Sequence, residues 1–127
     1  MREMKVRVWD DVLKEMLYGR VEQFDDMLGF RFEKHLETEN PIYMWETGLK
    51  DKNGKEIYEG DVLFHRWNSG YDMQEETISE VKWRNGAFIV DDKKRSDWLL
   101  SIHALAERWA SVEVIGNIYE HKQNRRD

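Results

Sequence analysis

The chain has 127 residues, of which 40% are apolar, 36% are charged and none is cysteine, and its net charge is −6. This length fits one domain with an appended lobe, and the lack of cysteine excludes disulfides, thiolate nucleophiles and zinc–thiolate sites. No apolar run is long enough to cross a bilayer and residues 1–11 lack the apolar centre of a signal peptide, so we expect a cytoplasmic chain without membrane contact.

The first segment with a clear pattern is MKVRVWD at residues 4–10, in which apolar and charged residues alternate as in a half-buried strand. Residues 12–28 fit two patterns, because their large apolar residues follow a helical stripe, whereas Gly19 and the residues around it favour a returning hairpin strand. We predict the hairpin. GFRFEKHLE predicts a further strand, and Pro41 ends an N-terminal β-rich lobe over residues 1–41.

The second lobe, residues 42–127, opens with TGLKDKNGKEIYEGD at residues 47–61. A two-residue turn at Asn53 and Gly54 would bring like charges opposite each other on both arms, so we predict a tight turn whose arms soon separate. Gly60 and Asp61 predict a second corner. DVLFHRW, which begins at Asp61, has apolar residues on both faces and predicts a strand of a small barrel, and NSGYDMQEE at residues 68–76 predicts a polar, flexible connection.

VKWRNGAFIV is the clearest hairpin in the chain, because Asn85 and Gly86 tolerate the positive φ angles of a two-residue type I′ turn. That turn places Trp83 opposite Phe88, and it also pairs two valines on the same face. Helical spacing of apolar residues predicts a short helix at about residues 101–110, and the alternation in SVEVIGNIYE predicts a C-terminal strand at about residues 111–119.

Side chains that could perform chemistry are present but scattered. The four histidines, His35, His65, His103 and His121, lie at no metal-ligand spacing, and no nucleotide-binding or hydrolase motif occurs. Acidic pairs are interpreted as solvated turn charges, with Glu59 and Asp61 as the best exceptions because they flank a glycine. We therefore predict no metal site and no cofactor. The aromatic residues Tyr43, Trp45, Trp67 and Tyr71 are candidates for stacking on bases or gripping a peptide, although packing in a core is the plainer interpretation.

Four segments together resemble the YopX family of proteins encoded by bacterial phages and prophages. They are MREMKVRVWD, TGLKDKNGKEIYEGDVL, VKWRNGAFIV and VEVIGNIYE, and they occur in the family's order. The resemblance implies a mainly β protein whose second lobe is similar to an SH3-type barrel, which agrees with a mainly β (α+β) fold with one short helix. It carries over no catalytic residue and no cofactor.

We therefore expect a non-enzymatic binding or assembly module that forms a homo-oligomer and binds an unknown phage or host protein. By analogy with other SH3-type barrels, His65, Trp67 and Tyr71 are the candidate binding residues on a loop or an exposed strand face. The alternative is a nucleic-acid-binding accessory protein in which Lys50, Lys52 and Lys55 contact phosphates, although the acidic net charge disfavours it. A metal-dependent enzyme that uses Glu59 and Asp61 is the third hypothesis.

Overall fold

Strands dominate the computed structural model, which describes residues 4–70, 73–91, 98–99 and 110–120. The chain divides into two compact units, Met1–Glu46 and Thr47–Asp127. The first unit therefore includes residues 42–46, which the sequence analysis assigned to the second lobe. The predicted mainly β class is confirmed.

The first unit contains a sheet in which the strand order is β3-β2-β1-β4. Its strands are β1 (Lys5–Asp10), β2 (Glu15–Phe24), β3 (Met27–Phe32) and β4 (Ile42–Lys50), the last of which ends in the second unit. The hairpin that we preferred over a helix for residues 12–28 is confirmed. Residues 11–14 form the turn from β1 into the returning strand β2, and Lys14 has a φ angle of 58°. Asp25 and Asp26, with φ angles of 41° and 69°, form the next turn, between β2 and β3.

Strands β1 and β2 pair so that small and branched side chains meet in the middle of this sheet. Val8 lies opposite Leu17, and Val6 lies opposite Gly19. Val6, Val8 and Leu17 are fully buried. The opposite face of β1 is buried too, since Trp9 is 5% exposed, so β1 is the central strand of its unit.

The second unit contains a sheet in which the strand order is β10-β6-β7-β8-β9. The strands of this unit are β5 (Glu56–Tyr58), β6 (Asp61–Gly70), β7 (Met73–Arg84), β8 (Ala87–Asp91), β9 (Trp98–Leu99) and β10 (Ala110–Asn117), and β5 lies next to β4. In the described part of this unit, five buried aliphatic residues pack into one core cluster: Ile57, Leu63, Val81, Val90 and Val112.

The hairpin of β7 and β8 has the predicted geometry. Asn85 and Gly86 have φ angles of 53° and 81°, as a type I′ turn requires. Trp83 lies opposite Phe88, and their rings meet edge to face with centroids 4.7 Å apart. The cross-strand pair and its register are therefore confirmed.

Three expectations about the second unit need correction or lie beyond the described residues. The sheet is open in the described part of the chain rather than closed into a barrel, because its outer strands β10 and β9 do not pair with each other. Most of residues 68–76 extends the β6–β7 hairpin, in which Asn68 pairs with Gln74, so that segment is not a polar loop. Residues 101–109 of the helix predicted at about residues 101–110 lie outside the described residues, and Ala110 belongs to β10.

Candidate functional site

His65 and Trp67 lie together on β6, with ring centroids 4.8 Å apart. His65 is only 3% exposed and Trp67 only 6%. The expectation that this pair lies on an exposed strand face is therefore wrong, because both rings pack inside the unit. A partner cannot contact them unless the unit rearranges. Tyr71 lies outside the described residues. A binding role for these three residues stays a prediction.

Residues 47–61, TGLKDKNGKEIYEGD, form what we call the signature segment, and its turn at Asn53-Gly54 is the signature turn. The three lysines of this segment are exposed on or beside that turn. Lys50 ends β4, whereas Lys52 and Lys55 flank the Asn53-Gly54 pair. The Lys52 ammonium lies 3.5 Å from a carboxylate oxygen of Glu113, so part of its charge is already balanced. The proposed contact of these lysines with phosphates stays a prediction.

A buried carboxylate organises that same turn. One oxygen of Asp51 accepts hydrogen bonds from the backbone N–H groups of Asn53 and Lys55, both at 2.9 Å, and the other accepts one from Val114 at 2.9 Å. Asp51 is 7% exposed. The signature turn is thereby fixed to β10, so Asp51 stabilises the fold and is occupied by backbone donors.

Asp61 acts in the same way at the next corner. Its carboxylate accepts a hydrogen bond of 2.8 Å from the Tyr58 N–H, and Gly60 between them has a φ angle of +85°. Asp61 is buried, whereas Glu59 is partly exposed. The predicted corner is confirmed. In the described part of the chain, no three metal-ligating side chains come together.

Asp10 is a third buried carboxylate, and the sequence analysis treated it as a solvated turn charge. Its side chain accepts backbone hydrogen bonds from Val12, Leu13, Glu37 and Thr38 at 2.6–3.2 Å. Burial by itself raises the pKa of this carboxyl, but the four N–H donors together hold its pKa below the ordinary value. Asp10 therefore joins the β1–β2 loop to the segment that precedes β4.

Four aromatic rings of the first unit form an exposed cluster, which we call the aromatic face: Phe30, Phe32, Tyr43 and Trp45. The rings of Phe30 and Tyr43 stack with centroids 5.1 Å apart, and the Phe30 and Trp45 rings meet edge to face at 6.2 Å. Phe32 stacks on Tyr43 at 6.0 Å. Phe30, Tyr43 and Trp45 remain 46%, 42% and 37% exposed.

The aromatic face is formed by side chains from the two outer strands of the β3-β2-β1-β4 arrangement. Phe30 and Phe32 come from β3 and Tyr43 and Trp45 from β4, with β2 and β1 between them. One row across the four strands contains Trp45 on β4, Val6 on β1, Gly19 on β2 and Phe32 on β3, each opposite the next. Because Gly19 has no side chain, the rings close over the middle strands. The sequence analysis named Tyr43 and Trp45 as candidates but missed Phe30 and Phe32.

The other face of β3 is charged. Arg31 alternates with Phe30 and Phe32, so its side chain lies on the opposite side of the sheet. There the Glu22 carboxylate contacts Arg20 at 2.7 Å and Arg31 at 2.9 Å. The hydrogen bond from Arg20, and then the charge of Arg31, hold the pKa of Glu22 below its ordinary value. The aromatic face thus has an apolar surface, and the opposite face of the sheet carries an ion cluster of two arginines and one glutamate.

Comparison with known proteins decides the family. The family model described as YopX protein matches residues 5–123. This chain belongs to the YopX family. A search of the curated proteins found no match.

Among solved structures, this YopX-family chain is similar to the crystal structure of protein EF1440 from Enterococcus faecalis. The TM-score is 0.59 at 23% sequence identity, and the match covers 94% of this chain and 96% of that chain. At this identity the likeness shows the fold alone. No helix among the described residues is both long and apolar enough to traverse a lipid bilayer.

Proposed function

We propose that this chain is a non-enzymatic binding or assembly module of a phage or prophage that acts in the cytoplasm of the bacterial host. Its binding surface is the aromatic face, which takes a protein partner. The observation that supports this proposal is that Phe30, Tyr43 and Trp45 pack on one another and yet each remains more than a third exposed.

Such a cluster has the properties of a protein-binding anchor. Large rings provide much apolar contact area, and interface energy concentrates in tryptophan and tyrosine more than in other residues. The rings are held by mutual stacking, so they lose little further side-chain freedom when a partner binds. Exposed apolar patches of this kind commonly mark interaction sites.

The charge distribution favours a protein over a nucleic acid at this surface. Arg31 lies on the opposite face of the sheet from the rings, where it shares the Glu22 carboxylate with Arg20. A surface that stacks bases needs cations beside its rings to hold the phosphate backbone. The nucleic-acid hypothesis therefore depends on Lys50, Lys52 and Lys55, which lie in the other unit.

The test uses two tryptophans in one chain. Trp45→Ala removes a ring of the aromatic face, whereas Trp83→Ala removes a more exposed ring, 55% exposed, that packs on Phe88 in the second unit. Full-length tagged variants are used for affinity capture from phage-infected host cells, and the captured protein is then titrated against each purified variant. We expect Trp45→Ala to weaken that binding by about tenfold or more, which is the usual effect of an anchor residue.

The control and the contrary result are equally specific. Trp83→Ala should bind as the unchanged chain does, and circular dichroism should show that both variants fold. The proposal is wrong if Trp45→Ala captures the same proteins with the same affinity as the unchanged chain. Equal losses in both variants would also contradict it, because they would not locate the binding on the aromatic face.

A further inference from the structure

Strand β10 is an outer strand of the second unit's sheet, and the signature turn lies against it. In the strand order of that sheet, β10 neighbours β6 only. The Lys52 N–H donates a hydrogen bond of 3.0 Å to the Val112 C=O, and the Val114 N–H donates one of 2.9 Å to a carboxylate oxygen of Asp51. At these two backbone groups, the turn therefore occupies the side of β10 that points away from β6.

These contacts have the pattern of a parallel strand pair. In such a pair, one residue uses its N–H and its C=O to bond the two residues that flank the residue opposite it. Lys52 lies opposite Glu113 and supplies the N–H, but the Asp51 carboxylate takes the place of the Lys52 C=O as acceptor of the Val114 N–H. The side chains agree with this register, because the Lys52 ammonium lies 3.5 Å from the Glu113 carboxylate. The turn thus replaces one residue of a neighbouring strand.

The turn does not continue as a further strand along β10. The second oxygen of Asp51 accepts the N–H groups of Asn53 and Lys55, and the Asp51 N–H donates to the Lys55 C=O. The chain therefore reverses directly after Lys52, and Gly54 allows the reversal with a φ angle of 83°. A single buried carboxylate, 7% exposed, closes the turn and holds it on the strand. The edge is covered at this point without a new strand that would itself need covering.

We propose that the signature turn is a cap that prevents β10 from pairing with a strand of another chain. An uncovered edge strand presents N–H and C=O groups to any extended chain that aligns with them, and proteins cover such edges with loops. The cap lies within the second unit and contains no ring of the aromatic face. This inference therefore goes beyond the proposed function: the cap excludes β10 from the module's contacts, and opening of the turn makes β10 a site for strand addition.

Hydrogen exchange of the Val114 amide, measured relative to the β8 amides, tests the cap directly. Asp51→Asn keeps an oxygen for the Asn53 and Lys55 N–H groups but places an amide NH2 against the Val114 N–H. We expect this relative rate to rise at least about tenfold, as befits the loss of a hydrogen bond to a charged acceptor. Asp10→Asn is the matched control, because it changes a buried carboxylate that accepts backbone N–H groups in the first unit, and it should leave the relative rate unchanged.

A second variant opens the turn without changing the carboxylate. A β-carbon at Gly54 meets nothing within 4 Å, but the φ angle of 83° strains alanine there. In Gly54→Ala we expect the relative rate of the Val114 amide to rise about fivefold or more. The inference is overturned if the Val114 and β8 amides exchange faster by the same factor in both variants, because the turn would then contribute only to overall stability. An unchanged Val114 rate in both variants also overturns it.

Sedimentation velocity of the full chain tests the consequence for association. At matched concentrations, and at a temperature where circular dichroism shows folded chains, Asp51→Asn should form larger species than the unchanged chain, and Asp10→Asn should not. Gly54→Ala takes the place of Asp51→Asn if the latter does not fold. Adding Trp45→Ala should leave this association intact, so that failure of the cap and failure of the proposed function are distinguishable. If the variant with a fast Val114 amide sediments as the unchanged chain does, the inference is overturned.

Discussion

At the scale of single residues, three buried aspartates stabilise turns with their carboxylates. Asp10, Asp51 and Asp61 each accept backbone N–H groups, and two of them reach donors that are far away in sequence. From the sequence alone, Asp10 belongs with Asp11 to an acidic pair interpreted as solvated, whereas Asp61 is one of the two exceptions and forms part of the predicted corner. A buried carboxylate accepts hydrogen bonds from backbone N–H groups that would otherwise bind water. The tertiary fold decides which segment brings its N–H groups to the carboxylate.

Asp10 allows a prediction about pH. Its folded pKa is lower than its unfolded pKa of about 3.9, so its carboxylate stabilises the fold above that pH, and this contribution is lost as the pH falls through the folded pKa. Asp10→Asn places an amide N–H against backbone donors. We expect Asp10→Asn to be much less stable than the unchanged chain at pH 7, with a gap that narrows at pH 3.

Denaturant unfolding at pH 7, 5 and 3 measures that gap. Asp25→Asn is the control, because Asp25 is exposed in a turn with a positive φ angle that asparagine tolerates. A gap between Asp10→Asn and the unchanged chain that stays constant down to pH 3 would show that the charge of Asp10 does not stabilise the fold.

At the scale of elements, two Asn-Gly pairs form different turns. Asn85 and Gly86 both have positive φ angles, whereas at the signature turn only Gly54 does, at 83°. There the Gly54 N–H donates to the Asp51 C=O and the Asp51 N–H donates to the Lys55 C=O, so the loop has three residues. A two-residue turn would place Lys52 opposite Lys55 and Asp51 opposite Glu56. In the three-residue loop Asp51 lies opposite Lys55 instead, so these like charges do not meet. The sequence analysis was right about the conflict, but it predicted separating arms rather than a longer loop.

Gly19 is the residue on which the β2–β3 pairing depends. A β-carbon there would lie 2.1 Å from the Arg31 carbonyl oxygen and 2.8 Å from the Phe32 ring. We expect Gly19→Ala to lower the free energy of unfolding by about 1–3 kcal/mol, since the two strands must move apart. Denaturant unfolding measures the loss, and hydrogen exchange should show faster exchange of the β3 amides.

Gly54→Ala is the control, because it introduces backbone strain without crowding a neighbouring strand. A β-carbon at Gly54 meets nothing within 4 Å, but its positive φ angle makes alanine cost about 1–2 kcal/mol. Gly54→Ala should therefore lose stability without faster exchange in β3. If Gly19→Ala leaves both stability and β3 exchange unchanged, then the strands are not held as closely as described.

At the scale of the whole molecule, the net charge of −6 argues against nucleic acid as the main partner. We expect labelled single-stranded and double-stranded DNA and RNA to show no binding in titrations at a low salt concentration of about 50 mM, where phosphate contacts are strongest. Binding that weakens with salt and is lost in a variant with alanine at Lys50, Lys52 and Lys55 would favour the alternative function. Lys34→Ala, whose lysine is paired with Glu15, is the control.

The exposure of the candidate binding residues could not be predicted from the sequence. His65 and Trp67 are buried because they lie on the same face of β6 as the core residue Leu63, whereas Arg66 and Asn68 on the other face are exposed. Alternation alone does not show which face of a strand is covered. The aromatic face was missed in part because Phe30 and Tyr43 meet across two intervening strands. Their contact depends on strand order, which is a long-range property.

The sequence by itself determined the mainly β class, the YopX family, the β7–β8 hairpin and the corner at Gly60. These features depend on alternation, on residues that tolerate positive φ angles and on family-specific strings, all of which are local. Only the tertiary structure decided that the second sheet is open, that Asp10 and Asp51 are buried acceptors, and that four rings from β3 and β4 form one face. Those features arise from segments that are distant in sequence, and no local pattern records which of them become neighbours.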